Sequence, residues 1–445
     1  LELSMKVQRL IAPWKGNKQF TAISKRAAAL KKQGHAAEQI IDLLTEEFGA
    51  PHPRTPLRDT AQPLRIYGDV GTDIDAAAVA QIELALRLPV AVAGALLPDA
   101  HPGYALPIGG VFAAHRAVAP AMVGVDIGCR MHLSLLDLPP DDLLQQRDAL
   151  FADLQAVTLF GNNVRSRRTP DHAILDDPRW QSTGLLRHLH RKAQEHLGSS
   201  GSGNHFAELV IGERLSPESD LPATFTGLLT HSGSRGVGFA IANHYIRLAE
   251  QETARVAQVP KLYTWLDLDH EAGQEYWQAM ELAGDFAQAN HEVIHAQFAR
   301  RARVRPLTVI QNHHNFAWQQ GDLVLHRKGA TPAAAGVLGV IPGSMASAAY
   351  IVRGLGAEGS LASAAHGAGR VGSRTEATQT IAISDVRALL RERDVLVAGL
   401  SVDESPLAYK DIERVMSIQV AAGLVTPLAR MHPVAVIMAG ASGAN

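Results

Sequence analysis

The chain has 445 residues, 46% of them hydrophobic, with a formal net charge of −2. That length suits two to three ordinary domains or one large elaborate one with a sizeable core. The charge excludes a polycation, so any nucleic-acid contact needs a local basic face. The single cysteine excludes an internal disulfide framework and fits a reducing compartment.

The apolar run Leu88–Leu97 is broken by Pro89 and Gly94 and is too short to span a bilayer. No signal peptide is read, and Leu1–Ser4, ahead of Met5, read as an expression remnant. The expectation is a soluble cytoplasmic protein with no membrane contact.

Residues 1–60 are expected to form an N-terminal helical extension and 61–445 one interwoven domain. Ala22–Leu30 and Ala36–Phe48 carry apolar residues at three- and four-residue steps. Lys15, Lys18, Lys25, Arg26, Lys31 and Lys32 make this region basic. A solvated helix face is the better reading, and an RNA or partner contact the sharper one.

Pro51–Arg65 reads as a proline-rich connector. Ile66–Asp69 and Val90–Leu97 read as strands flanking a helix, and Pro98–Tyr104 as a turn-rich loop. His132–Leu138 reads as a strand and Asp141–Val157 as one amphipathic helix with aspartates near its start. Arg165, Arg167 and Arg168 form a polar cluster that suits a phosphate clamp or a solvated loop equally. Phe206–Ile211 reads as a strand, Val237–Val256 as a helix and Gln274–Arg301 as a long helix with Asn290 on its apolar stripe. Strands follow at Leu307–Gln311, Asp322–His326 and Gly336–Ile341. The chain closes with helices at Ser384–Glu392 and Asp411–Val425 and a strand at Val434–Met438.

The chemistry centres on Gly124-Val-Asp-Ile-Gly-Cys-Arg130, which holds the only cysteine. Its two glycines let Asp126 and Cys129 bend toward one point. Downstream, His205, His231 and His314 sit in glycine-, serine- and asparagine-rich loops. Any one of 20 histidines is more often a satisfied core or surface residue than a ligand. Several in such loops at strand ends argue otherwise. Five mixed S, N and O donors are too many for one open tetrahedral site and suit two metals sharing a ligand. That set points to Mn, Zn, Co or Fe rather than Mg or Ca. Gly198–His205 and His231–Gly236 are small-residue loops through which backbone N–H groups can approach an anion. His366, before Gly367-Ala-Gly-Arg370, has room for a bulky group on its ring. A neutral imidazole can attack phosphorus and hold a phosphoramidate. Pro342–Met345 and Arg327-Lys328 suggest a further phosphate pocket, or plain turns.

In order along the chain, Pro98-Asp-Ala-His101, Gly124–Cys129, Gly203-Asn-His205, His231–Gly236, His313-His-Asn315, Pro342–Met345, His366–Arg370 and Asp403–Asp411 closely resemble the RtcB family of RNA-splicing ligases. The resemblance covers roughly Ile66 to Ile437. It implies a single large α+β catalytic domain with mixed sheets around a deep two-metal pocket. It also implies an RNA ligase that uses GTP and two Mn²⁺ ions to join 3′-phosphate or 2′,3′-cyclic phosphate ends to 5′-hydroxyl ends, in tRNA splicing or RNA repair.

By the same resemblance Cys129 bridges both metals, Asp126 and His205 serve one ion, and His231 and His314 the other. His366 is the implied nucleophile that takes GMP. Asn204, His205, Phe206, Ala207, Glu208, His314, Asn315, Pro342, Gly343, Ser344, Met345, His366, Gly367, Ala368 and Gly369 are the implied guanylate contacts. Arg235, Lys328 and Arg370 are candidates for RNA phosphate. Partners are RNA ends and, in some relatives, an archease-like activator; a monomer is expected. Three positions depart from the family pattern: Met438 stands for a lysine, Ala349 for a serine and Arg130 for a glycine. The first two are expected to alter nucleotide affinity or base choice. Competing readings are a two-metal phosphoesterase on RNA ends and a nucleotide-impaired RNA-end-binding relative.

Overall fold

A computed structural model describes residues 7–14, 17–50, 54–161 and 170–440. Arg165, Arg167 and Arg168 lie outside the described residues. The fold is α+β, with helices and two principal mixed sheets.

The larger sheet has eight strands. Its order is Pro306–His313, Arg130–Leu136, Thr224–Ser232, Phe206–Arg214, Val425–Met438, Ala349–Gly354 and Leu338–Ile341, all antiparallel. Leu396–Ala398 adds in parallel to the far half of Val425–Met438. The two ends of this sheet nearly meet. The Asn312 amide closes the gap, accepting from Val340 N at 2.7 Å and donating to Val340 O at 3.2 Å. The second sheet has five strands in the order Asn315–Gln320, Leu323–Lys328, Ile108–His115, Ala91–His101 and Leu64–Ile66. Only its last pair is parallel.

Glu271–Ala302, 32 residues long, runs beneath the large sheet. Tyr276, Met280, Ala283, Ala287, Ile294 and Phe298 are buried along it, as its sequence stripe requires. Asn290, also fully buried, accepts from Gly198 N at 2.9 Å and donates to Gly233 O at 3.1 Å. It thereby pins the loops before His205 and after His231. Near the N-terminus, Phe20–Lys32 and Ala37–Phe48 enclose a cluster of their own from Leu10, Ile11, Trp14, Ile23, Ala27, Leu30, Ile40 and Leu44.

Several elements differ from the sequence expectation. The helix expected over Asp141–Val157 is two, Pro140–Gln145 and Arg147–Val157. Gln146, at φ −101° and ψ 9°, leaves the helical well between them. The strand Ala91–His101 runs through most of the segment read as a loop. The helix from Ile412 stops at Ala421, where Gly423 turns with φ 66°. The strand expected at Val434 begins at Val425. Its Pro427 and Pro433 fall where the pairing register slips, the places a strand tolerates a missing N–H.

Candidate metal and nucleotide centre

The two sheets share a border, and the chemistry lies on it. Cys129 immediately precedes a large-sheet strand, and His231 lies within the next one. His205 precedes the strand Phe206–Arg214, whose Phe206 pairs with His231. His314 is the single residue between the large-sheet strand ending at His313 and the second-sheet strand starting at Asn315. Its backbone N–H donates to Cys129 O at 2.9 Å. Four residues from distant parts of the chain therefore meet because strand pairing leaves their side chains at one junction.

The distances are short. Cys129 Sγ lies 3.3 Å from His205 Nε2 and 3.1 Å from His231 Nε2. Asp126 Oδ2 lies 2.9 Å from His205 Nε2, and the Nε2 atoms of His231 and His314 are 3.1 Å apart. Cys129, His205, His231 and His314 are all buried. His231 Nδ1 donates to Asn204 O at 2.9 Å. Its neutral ring therefore turns a bare lone pair on Nε2 toward the thiol and His314. Burial lowers the pKa of His231 to about 3 and pushes that of His314 well below the usual range, so both rings are neutral at pH 7. Burial opposes ionisation of Asp126, yet His205 beside it holds its pKa at about 2. Burial and the Asp126 charge raise the Cys129 thiol well above its ordinary value. A cation there reverses that shift, because a coordinating thiol loses its proton. Lone pairs, a carboxylate and a thiol packed this tightly fit a bound cation.

The backbone makes room for these groups. A Cβ on Gly233 would fall 2.1 Å from Asp126 Oδ1. One on Gly124, at φ 97°, would fall 2.0 Å from Lys328 Nζ. Lys328 ends a second-sheet strand and reaches under the Gly124 loop. Burial lowers its pKa to about 8, with Asp126 and Cys129 pulling the other way.

A cavity opens from this cluster. Its lining includes Asp126, Cys129, Asn204, Phe206, Glu208, His231, His314, Asn315, Lys328, Pro342–Met345, His366, Gly367–Gly369 and Arg370. Here the sequence-derived set converges from segments distant in the chain. His366 stands against His314, ring centroids 4.8 Å apart. Its Nδ1 donates to Asp99 Oδ2 at 2.7 Å, and its backbone N–H to the same oxygen at 3.1 Å. Asp99 is fully buried. A carboxylate accepting from Nδ1–H fixes the tautomer and leaves the lone pair on Nε2.

One part of the cavity wall is apolar, with Phe206, Met345, Val436 and Met438 lining it alongside Glu208. Burial raises the Glu208 pKa to about 8, so this carboxyl is neutral at pH 7. The guanidinium Nη atoms of Arg370 are buried without a hydrogen-bond partner, and its nearest anion is Glu404 at 3.6 Å.

Some expected residues lie elsewhere. Ala207 turns into an apolar cluster with Leu209 and Leu228. Arg235 is committed to Gly161 O and to Ser199 Oγ, the latter at 3.2 Å, and is absent from the cavity lining. Asp99, Arg374, Glu404 and Tyr409 belong to the site region and were not singled out individually. Asp99, Glu404 and Tyr409 lie within motifs named above and Arg374 within none, and nothing local marks Asp99 as the partner of a histidine 267 positions away.

A family model described as tRNA-splicing ligase RtcB matches residues 81–439. The chain belongs to the RtcB family. It is 32% identical over 358 residues to the RNA-splicing ligase RtcB of Escherichia coli K12, a match covering 73% of this chain and 85% of the relative. It is 31% identical over 418 residues to the tRNA-splicing ligase RtcB of Thermococcus kodakarensis, covering 77% and 86%. With the RNA-splicing ligase RtcB of Mycobacterium tuberculosis it shares 30% identity over 410 residues, covering 76% and 94%.

The three departures from the family pattern fare differently in this chain. Met438 lines the apolar part of the cavity wall. Ala349 is buried in the cluster of Leu133, Ile351 and Met431 and is not among the lining residues. The Arg130 side chain turns under the sheet, donating to Gln288 Oε1 at 2.9 Å, Gln311 Oε1 at 3.2 Å and Gly284 O at 3.0 Å.

Proposed function

We propose that this RtcB-family chain is an RNA ligase that joins a 3′-phosphate or 2′,3′-cyclic phosphate end to a 5′-hydroxyl end, using GTP and two Mn²⁺ ions. His366 carries the reading. It is an imidazole with Nδ1 tied to a buried carboxylate, within one cavity with the cysteine–histidine cluster. That is the constellation of an activated nitrogen nucleophile.

Asp126, Cys129, His205, His231 and His314 are the residues that would hold the metals. Such ions, when bound, act as Lewis acids toward phosphate oxygens. In the first stage His366 Nε2 attacks the α-phosphorus of GTP. A P–N bond forms as the bond to pyrophosphate breaks. Asp99 keeps the Nδ1 proton and offsets the positive charge growing on the ring. Lys328 and Arg370 contribute cationic charge to the phosphate end of the cavity, while Phe206, Glu208, Met345 and Met438 surround the base. His366 then yields the GMP to a 3′-phosphate, a cyclic end first being opened by water. Attack by the 5′-hydroxyl forms the phosphodiester and releases GMP. The reading also takes residues 1–60 as a helical extension appended to a ligase domain over 61–445.

The test is covalent labelling. The protein is incubated with Mn²⁺ and α-phosphate-labelled GTP, then denatured. An acid-labile adduct is expected in the wild type and not in His366→Ala. Phosphate release from RNA ends with no adduct under any metal would instead favour a phosphoesterase.

A further inference from the structure

The N-terminal helical unit lies outside the residues that the family model matches. Its charge is segregated. Phe20–Lys32 carries Lys25, Arg26, Lys31 and Lys32 and no acidic residue. Ala37–Phe48 carries Glu38, Asp42, Glu46 and Glu47 and no basic one. Arg26 pairs with Glu47 at 2.7 Å across the two helices, which takes that arginine out of the basic face.

The remaining basic face is regular. Lys18, Lys25 and Lys32 are all exposed. They recur every seven residues, which brings each onto one side of the helix and its entry turn about 10 Å from the next. The residues between them on that side, Thr21, Ala22, Ala28 and Ala29, are exposed and small. Among the described residues on that side of the helix, no bulky side chain holds a partner off. Lys18 also precedes a helix whose first turn has neither an acidic residue nor a side-chain cap. A lysine there is unfavourable for the isolated helix, and an anion at that end offsets it.

We infer that the Lys18–Lys25–Lys32 face binds the phosphate backbone of the RNA substrate away from its reacting ends. Charge complementarity selects the occupant: the helix that carries the face is cationic and has no acidic residue of its own, and the proposed substrate is a polyanion longer than the cavity. The cations of the cavity itself, Lys328 and Arg370, are recessed at the reaction centre and reach only the ends. The inference rests on the ligase reading for its substrate.

The test compares the full-length wild type with the triple variant Lys18→Gln, Lys25→Gln, Lys32→Gln, and with the matching triple arginine variant. Binding of a 3′-phosphate stem–loop RNA is measured by fluorescence anisotropy from 50 to 300 mM salt. The glutamine variant is expected to bind about tenfold more weakly near 150 mM, with a log–log salt slope shallower by about 2. The arginine variant is expected to bind as the wild type does. A 3′-phosphate tetranucleotide, short enough for the cavity alone, is expected to bind all three alike. Stem–loop affinity within twofold of wild type, with an unchanged slope, overturns the inference. Polyglutamate bound as tightly as RNA, and lost equally in the variant, reassigns the face to an acidic protein partner and overturns it too. GMP labelling and ligation of short RNAs are measured alongside. A wild type that does neither removes the ligase reading, while the RNA-binding difference still decides the surface.

Discussion

Asp99→Asn isolates the contribution of one charge to His366, the proposed nucleophile. Asp99 Oδ2 accepts from both the ring and the backbone of His366, and Lys410 Nζ clamps the flanking carbonyls of Pro98 at 3.2 Å and Ala100 at 2.7 Å. The backbone around position 99 therefore holds when the side chain changes. An asparagine carbonyl can still accept from Nδ1–H, so the tautomer is preserved while the negative charge is lost. Hydrogen bonds to charged groups contribute about 1.5–3 kcal/mol, and each 1.4 kcal/mol is about tenfold in rate. The initial rate of GMP labelling at saturating GTP is expected to fall about 10- to 100-fold. The asparagine NH₂ also replaces Oδ1, which is buried without a hydrogen-bond partner. One unpaired atom thus takes the place of another, and thermal unfolding reads any change in stability separately from the rate. Metal content is measured in both proteins and is expected to match. Labelling within twofold of wild type, at equal metal content, would refute the assignment of Asp99 as the group that holds and charges the nucleophile.

Glu208 predicts a pH dependence of stability. Its folded pKa, about 8, lies above the ordinary 4.5, so the folded state keeps a proton that the unfolded state loses. The contribution is fully present below pH 4.5 and is lost as pH rises toward 8. Melting of the ligand-free protein is expected to fall over that window. Glu208→Gln should flatten the fall, and an identical profile in the variant would contradict the burial argument. Trp14→Ala tests the division at residue 60. Trp14 is 2% exposed and its Nε1 donates to Gly49 O at 3.0 Å. Removing it costs about 3–5 kcal/mol, enough to open a small helical unit. Hydrogen exchange is expected to rise across residues 17–50 while GMP labelling stays at the wild-type rate. A parallel loss of labelling would mean that the two parts fold as one.

Asp126, Cys129, His205, His231 and His314, which the structure brings together, can be picked out of the sequence as a set because metal and phosphate chemistry restricts residue type, and small neighbours mark where a side chain has room. The elements that carry them were less legible. Thr224–Ser232, which carries His231, is buried along nearly its whole length, so it has no polar alternation to read. Asn315–Gln320 is rich in amides and sits at a sheet edge, where pairing rather than propensity makes the strand. Val425–Met438 conceals its length behind two prolines. Asp99 looked like part of a turn because Pro98, Pro102 and Gly103 surround it. Only the return of the chain at His366 explains a carboxylate with no exposure.

A site built from so many buried polar groups needs support, and the layer under the cysteine–histidine cluster supplies it. Thr230, adjacent to His231, makes a short hydrogen bond to His291 Nδ1 and another to His295 Nε2 at 2.9 Å. His295 Nδ1 meets Ser134 Oγ at 2.8 Å on the neighbouring strand. His291 and His295 lie on the long helix, as does Asn290, which pins the Gly198 and Gly233 loops. Arg130 joins that helix to the strand ending at His313 through Gln288 and Gln311. Cys129 and His231 thus stand at strands hydrogen-bonded to the long helix, and the loops before His205 and after His231 are tied to it as well. Packing alone would leave the imidazoles free to rotate; these bonds fix the loops and strands that aim them, which is the condition for a preorganised cation site. The same logic accounts for Arg130 in place of a small residue. A side chain that turns away from the cavity and braces the helix strengthens the support and leaves the cavity open.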